Sequence, residues 1–248
     1  MQTTSDRIAW LGGKPGACTS SGPGEGVARR LVLLGAPGVG KGTQAELLGE
    51  RLGACHLSTG DIFRAAKTMP ESERSPALAA ALDFMRRGEL VPDATVLQVV
   101  RERVHCLRCP GGFLMDGFPR TVAQAEAFDE WLASQRLRLD AVVNYELPLE
   151  NVVARISGRR VCSRCKAVYH LQTRPPKKPG VCDQCGGELY QREDDRPESV
   201  RVRMAAYEKS TAPLAGYYGA RGLLVPVSAE GTPEEVFGRT LSSLEARR

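Results

Sequence analysis

Four cysteines stand in two pairs, Cys162-x2-Cys165 and Cys182-x2-Cys185, with 16 residues between the pairs. Paired thiolates at that spacing fit the ligand pattern of a zinc ribbon. Four thiolates fill a tetrahedral shell and leave no position for water or substrate, so the expected metal is structural. The intervening RPPKKPG tip has no periodic apolar face and would draw its folding energy from that metal. Upstream, GAPGVGK from Gly35 to Lys41 fits G-x4-G-K. Glycines there let successive backbone N–H groups converge on phosphate oxygens, a helix start adds positive dipole, and Lys41 reaches the outer phosphates. Gly42 occupies the usual Ser/Thr place and the hydroxyl stands at Thr43, which weakens direct Mg2+ coordination by this loop.

These residues need elements to hold them. RLVLLG before the loop reads as a buried parallel strand, and KGTQAELLGERLG as a helix closing on Gly53. Next come a strand (ACHLS), a capped helix (STGDIFRAA), and two amphipathic helices (PALAAALDFMRRG, DATVLQVVRERVHCL). GGFLMDGFPR is a strand ending in a loop, TVAQAEAFDEWLASQR a helix, DAVVNYELP a strand, and LENVVARISGRR a helix running into the cysteines. Beyond them lie one long helix (PESVRVRMAAYEKSTAPLAGYY), a strand (LLVPVS) and a closing helix (PEEVFGRTLSSLEA). Strands alternating with helices predict an α/β fold with a right-handedly wound parallel sheet and ligands at its carboxyl edge. Residues 1–28, rich in Gly, Ser, Thr and Pro, read as a flexible extension.

The 248 residues carry a net charge of +5, and its distribution is uneven. Gly158 to Arg192 holds eight Lys/Arg against two Asp/Glu, leaving 26 against 27 for the rest of the chain. A basic patch around the cysteines wants a polyanion, either nucleic acid or a triphosphate. Only Tyr169 and Tyr190 there offer faces on which bases could stack, which disfavours nucleic acid. No apolar run approaches the ~20 residues of a membrane span. Without a secretory apolar region the cysteines fit a reducing cytosol, and Cys106-x2-Cys109, lacking a second pair, reads as structural or incidental.

GKGTQ resembles the phosphate loop of adenylate kinases and related nucleoside monophosphate kinases. STGDIFR (58–64) and DGFPRTVAQAE (116–126) resemble their monophosphate-binding segments, GRRVCSRC the entrance to a lid, and QREDDRPESVRVR (191–203) the exit from it. The match is to the bacterial, long-lid type. It implies a P-loop nucleoside monophosphate kinase fold, with a core (29–57, 92–157, 196–248), a monophosphate-binding insert (58–91) and a zinc-bound lid insert (158–195). It implies reversible phosphoryl transfer from Mg·ATP to AMP giving two ADP, with catalysis by positioning and charge neutralisation.

The resemblance assigns catalytic roles to Lys41, Asp116, Arg120, Arg159, Arg192 and Arg203. Guanidinium forks suit phosphate oxygens bidentately, and Asp116 would hold Mg2+ through water. ATP would lie on Gly38, Val39, Gly40, Lys41, Gly42 and Thr43, with Arg155, Arg159, Val168, Tyr169 and Gly231 around its adenine side. AMP would meet Thr59, Arg64, Glu89, Leu90, Val91, Gly117, Phe118, Pro119, Arg120, Gln124, Arg192 and Arg203. Asp194 and Asp195 either link the lid to the nucleotide or act as helix N-terminal acids before Pro197, and Arg160 either joins the site or faces water. The implied partners are ATP and AMP or ADP, without nucleic acid or membrane, in a cytoplasmic monomer with structural Zn2+ and nucleotide-borne Mg2+.

Overall fold

The computed structural model describes residues 10–11, 29–87 and 91–247. β1 (Arg29–Gly35) is buried from Leu31 onward. Leu31 and Leu33 join the core on one side of the sheet and Val32 and Leu34 that on the other. A strand covered by helices on both faces has no polar side, which is why this run does not alternate. α1 (Lys41–Leu52) starts from Gly40 at φ 108° and stops at Gly53 at φ 65°. β2 (Cys55–Ser58), α2 (Thr59–Ala66), α3 (Pro76–Arg86) and α4 (Asp93–Arg101) follow. Ser58 Oγ and Ser75 Oγ accept the backbone N–H of Asp61 and Leu78, capping α2 and α3.

β3 (Gly112–Asp116), α5 (Val122–Ser134), β4 (Ala141–Glu146) and α6 (Leu149–Gly158) lead to the cysteine region, where β5 (Arg159–Cys162), β6 (Val168–His170) and β7 (Leu189–Tyr190) lie. α7 (Pro197–Ala206), α8 (Pro213–Ala220), β8 (Leu224–Ser228) and α9 (Pro233–Glu245) close the fold. The main sheet is parallel in the order β2-β3-β1-β4-β8. Its register sets Leu33 and Ser58 each beside Asp116. The phosphate loop, the Ser58–Thr59 turn and the Asp116–Gly117 turn therefore leave the sheet at one edge, its carboxyl edge.

Around the cysteines β6-β5-β7 form a separate antiparallel sheet that periodicity did not reveal, its strands being two to four residues long. Two expected helices are broken. The long one over 197–218 becomes α7 and α8, separated by a π turn at Tyr207–Thr211 closed by Ala212 N–H to Tyr207 O at 2.8 Å. Pro213 has no N–H to continue the ladder. The one over 93–107 stops at Arg101 and resumes only as a single turn, Val104–Leu107. Arg103 between them turns its guanidinium back onto the Val99 carbonyl at 2.6 Å.

The flexible extension expected over 1–28 is corrected at Trp10 and Leu11. Trp10 is 1% exposed within the main core, with Leu11 packed against it. A large indole recovers burial energy that composition averages hide. No helix among the described residues is long and apolar enough to cross a membrane.

Candidate active site and cysteine cluster

Gly38, Val39, Gly40, Gly42 and Thr43 make the loop and first turn of α1, and Lys41 lies folded beneath them. Its Nζ donates to the Gly35 and Ala36 carbonyls at 2.7 and 3.0 Å. Burial lowers the Lys41 pKa to about 8; Asp116 opposes that shift, whereas Arg120, Arg203 and Arg159 reinforce it. The Lys41 ammonium thus feels guanidiniums from three chain segments together with the Asp116 carboxylate.

Asp116 ends β3. Burial alone would raise its pKa, but the His56 hydrogen bond and the charges of Lys41, His56 and Arg120 outweigh burial and hold it below the ordinary range. His56 Nε2 lies 3.4 Å from Asp116 Oδ2. This histidine was missed in the sequence. It lies two residues before Ser58 on β2 and so shares that residue's face, a signal legible only once the strand pairing is known.

Thr59, buried at the start of α2, donates from Oγ1 to the Asp116 carbonyl at 3.3 Å. Gly117 has φ 81°, and a Cβ there would meet Thr59 Oγ1 at 2.9 Å, so both conformation and space require glycine. Phe118 is buried edge-on against Phe128, and the Phe118–Pro119 peptide is cis. Arg120 is exposed and donates from Nε to the Gly117 carbonyl at 2.8 Å. Gln124 accepts the Arg120 backbone N–H at 2.8 Å and donates to Asp93 Oδ1 at 2.7 Å. Its amide keeps one N–H and one lone pair for a base edge. Arg64 is ion-paired with Asp61, and Val91 is half-buried before α4. Glu89 and Leu90 lie outside the described residues.

On the opposite side Arg159 donates from Nε to Asp195 Oδ2 at 2.8 Å and from Nη2 to Oδ1. Arg203 Nη1 reaches the Asp194 carbonyl at 2.8 Å and its carboxylate at 3.0 Å. Asp195 is 1% exposed, so the pair acts here as internal counter-charge that sets two guanidiniums in place. Among the described residues the buried Nε of Arg192 meets no hydrogen-bond partner, and burial with Arg64 and Arg159 nearby lowers its pKa to about 10. Positive charge crowded beyond its counter-ions is what a phosphate chain relieves. Thr211 in the π turn donates to the Arg120 carbonyl at 3.0 Å, a contact without a sequence signal.

Arg155 bridges the loop to the far strand, donating to Val39, Ala229 and Gly231 carbonyls at 3.1, 2.9 and 3.3 Å. Val168 is half-buried. The Tyr169 ring does not face that bridge. It is buried among the cysteines, with Oη 3.4 Å from Cys182 Sγ and accepting the Asp183 N–H at 2.8 Å. Only its backbone remains for a nucleotide. Arg160 donates to the Ser157 and Arg159 carbonyls at 3.2 and 2.8 Å, just beyond the end of α6.

The four Sγ atoms of Cys162, Cys165, Cys182 and Cys185 lie within 4.8 Å of one another. Cys162 and Cys185 approach to 3.4 Å, Cys165 and Cys182 to 3.5 Å. Zinc–sulfur bonds of about 2.3 Å in a tetrahedron require sulfurs roughly 3.8 Å apart, so the set fits such an ion.

A family model described as adenylate kinase matches residues 33–223. The adenylate kinase of Carboxydothermus hydrogenoformans is 48% identical over 216 residues, covering 87% of this chain and 99% of that protein. That of Streptomyces coelicolor is 48% identical over 217 residues, covering 87% and 98%. That of Thermodesulfovibrio yellowstonii is 45% identical over 218 residues, covering 88% and 100%. With a phosphate loop, guanidiniums from separate segments and a cysteine cluster in one fold, this chain belongs to the adenylate kinase family.

Proposed function

We propose that this chain transfers the terminal phosphoryl group of ATP to AMP, reversibly, giving two ADP. The reading is carried by the environment of Lys41. An ammonium on the loop carbonyls faces Asp116 and feels Arg120, Arg159 and Arg203 from segments far apart in sequence. Such a set of cations neutralises phosphate charge without offering a nucleophile. The acceptor phosphate then attacks in line, and the residues position and neutralise.

ATP lies with its phosphates in the loop from Gly38 to Thr43 and its adenine beside Arg155, Gly231 and the backbone of Val168 and Tyr169. AMP lies between Thr59, Arg64, Val91, the Gly117–Arg120 turn and Gln124. Arg159, Arg192 and Arg203 close over both. Asp116, its carboxyl held below the ordinary range, would hold the Mg2+ that accompanies ATP, and that ion would supply further charge neutralisation at the phosphates. Residues 58–91 act as the acceptor insert and 158–195 as a lid hinged near Gly158. Cys162, Cys165, Cys182 and Cys185 would hold Zn2+, which would give that lid its shape. The enzyme works as a cytoplasmic monomer.

The test is an acceptor panel. The protein is incubated with Mg·ATP and each nucleoside monophosphate in turn, and ADP is measured. AMP is expected to dominate. Preference for CMP or UMP moves the assignment to a sister kinase, and stimulation by DNA or RNA without AMP overturns it.

A further inference from the structure

Trp10 precedes the residues matched by the family model and yet is 1% exposed. Its indole Nε1–H donates to the Ser58 carbonyl at 2.9 Å. Its own carbonyl accepts from Arg103 Nε at 2.6 Å, and the Leu11 carbonyl accepts from Arg103 Nη2 at 3.3 Å. Nη1 of the same guanidinium donates to the Val99 carbonyl at 2.6 Å and lies 3.6 Å from the Glu102 carboxylate. Arg103 is 1% exposed. A guanidinium at that depth needs acceptors for its N–H groups, and two of its three carbonyls come from Trp10 and Leu11.

One end of this bridge is the root of the acceptor insert, and the other lies in the core segment that follows it. Ser58 ends β2, caps α2 through its hydroxyl and directly precedes Thr59, which is bonded to the Asp116 carbonyl. Arg103 stands two residues beyond α4, whose first residue, Asp93, holds Gln124 Nε2 and Thr121 Oγ1 at 2.7 and 2.8 Å. The Trp10 side chain supplies the bond to Ser58, whereas Arg103 binds the backbone carbonyls of Trp10 and Leu11, so the indole is what ties those carbonyls to the end of β2.

From this geometry we infer that Trp10 is a positioning residue for the acceptor site: the Ser58–Trp10–Arg103 bridge fixes the base of the insert that receives AMP. The inference rests on the acceptor assignment made above. The bridge touches none of the residues assigned to ATP, so its loss separates the two substrates. Residues ahead of the family's common region thereby tune affinity for the monophosphate.

Trp10→Phe keeps an aromatic ring and removes the N–H, and Trp10→Ala removes both. Well below the unfolding temperature, Trp10→Phe is expected to raise KM for AMP roughly fivefold, the equivalent of one neutral hydrogen bond. KM for ATP and kcat stay within about twofold by the same reasoning, and Trp10→Ala has the larger effect. A purely structural role would lower Tm and leave both KM values in proportion; that result overturns the inference. Should Trp10→Ala fail to fold, Trp131→Phe leaves Trp10 as the one emitter of the two tryptophans in the chain. Its emission is expected to be blue-shifted and shielded from iodide, and solvent-like emission overturns the docking itself. Arg64→Ala serves as control. If it leaves KM for AMP unchanged, the acceptor assignment falls and the inference with it; if it raises KM while Trp10→Phe does not, the bridge alone is refuted.

Discussion

Under the phosphate loop lies a sheet whose central strand is covered on both faces, with Leu31, Val32 and Leu33 at 0–1% exposure. Under the lid's arginines lies a cluster of three buried side chains, Cys162, Tyr169 and Cys182, two of them in the proposed metal shell. Under the proposed function both regions would aim cations at phosphate. The loop holds its backbone amides and Lys41 by hydrophobic burial, which persists whether or not nucleotide is present. The segment proposed as the lid has too little apolar surface for that, and a metal on its four thiolates would supply the order instead. The comparison teaches that a rigid floor and a movable cover need different sources of order. A metal on the four thiolates would stiffen a small flap without fusing it to the main core.

The comparison breaks most visibly if the metal is removed. Chelation, or Cys182→Ser, takes away an ion whose binding in small thiolate sites is worth on the order of 10 kcal/mol. The expected outcome is local unfolding of residues 158–195, read by hydrogen exchange, while the main sheet melts separately and later. Next in size is Asp195→Ala, which strips the buried partner from Arg159. Breaking a buried ion pair costs about 3–5 kcal/mol, and exchange should rise in the lid hinge and not in α1.

Lys41→Met acts on the floor. Loss of a preorganised cation should cut kcat roughly 10²–10³-fold with Tm held within a few degrees. An equal fall in stability would show that the floor too leans on its charges.

A pH measurement sharpens the same contrast. The free-enzyme pKa of Lys41 is about 8 against an ordinary 10.5. The unfolded chain therefore binds more protons between those values, and this group's contribution to stability rises with pH from 8 to 10.5. Phosphate returns the proton. Calorimetry in buffers of different ionisation enthalpy should find ATP binding coupled to a larger proton uptake at pH 9 than at pH 7. Lys41→Met should abolish the difference. The smallest effect is expected from Arg160→Ala, which removes only a cation from the end of α6, worth about 0.3–1 kcal/mol, and leaves turnover nearly unchanged.

Much of this was legible in the residues. GAPGVGK between a buried run and a helix gave both the loop and the carboxyl edge of a parallel sheet, and the cysteine spacing gave the cluster. Other features depend on pairings distant in sequence. His56 meets Asp116 only because β2 lies beside β3. Tyr169 looked available to a base, but its hydroxyl turns to Cys182 and Asp183 instead. Apolar periodicity continues through Arg103 and through Tyr207–Thr211, where the helices nevertheless break. In the first case a guanidinium seeks acceptors; in the second Pro213 lacks a donor. Trp10 stands in a Gly/Ser-rich stretch whose average composition conceals one deeply buried ring.

The most direct test is a crystal structure with two adenosines joined through five phosphates, a mimic of both substrates at once. The account predicts that Lys41 leaves the Gly35 and Ala36 carbonyls for phosphate oxygens, that Arg120, Arg159, Arg192 and Arg203 come within hydrogen-bonding distance of the chain, and that the main sheet does not shift. Arginines still turned to solvent, with Lys41 unmoved on its carbonyls, would contradict it.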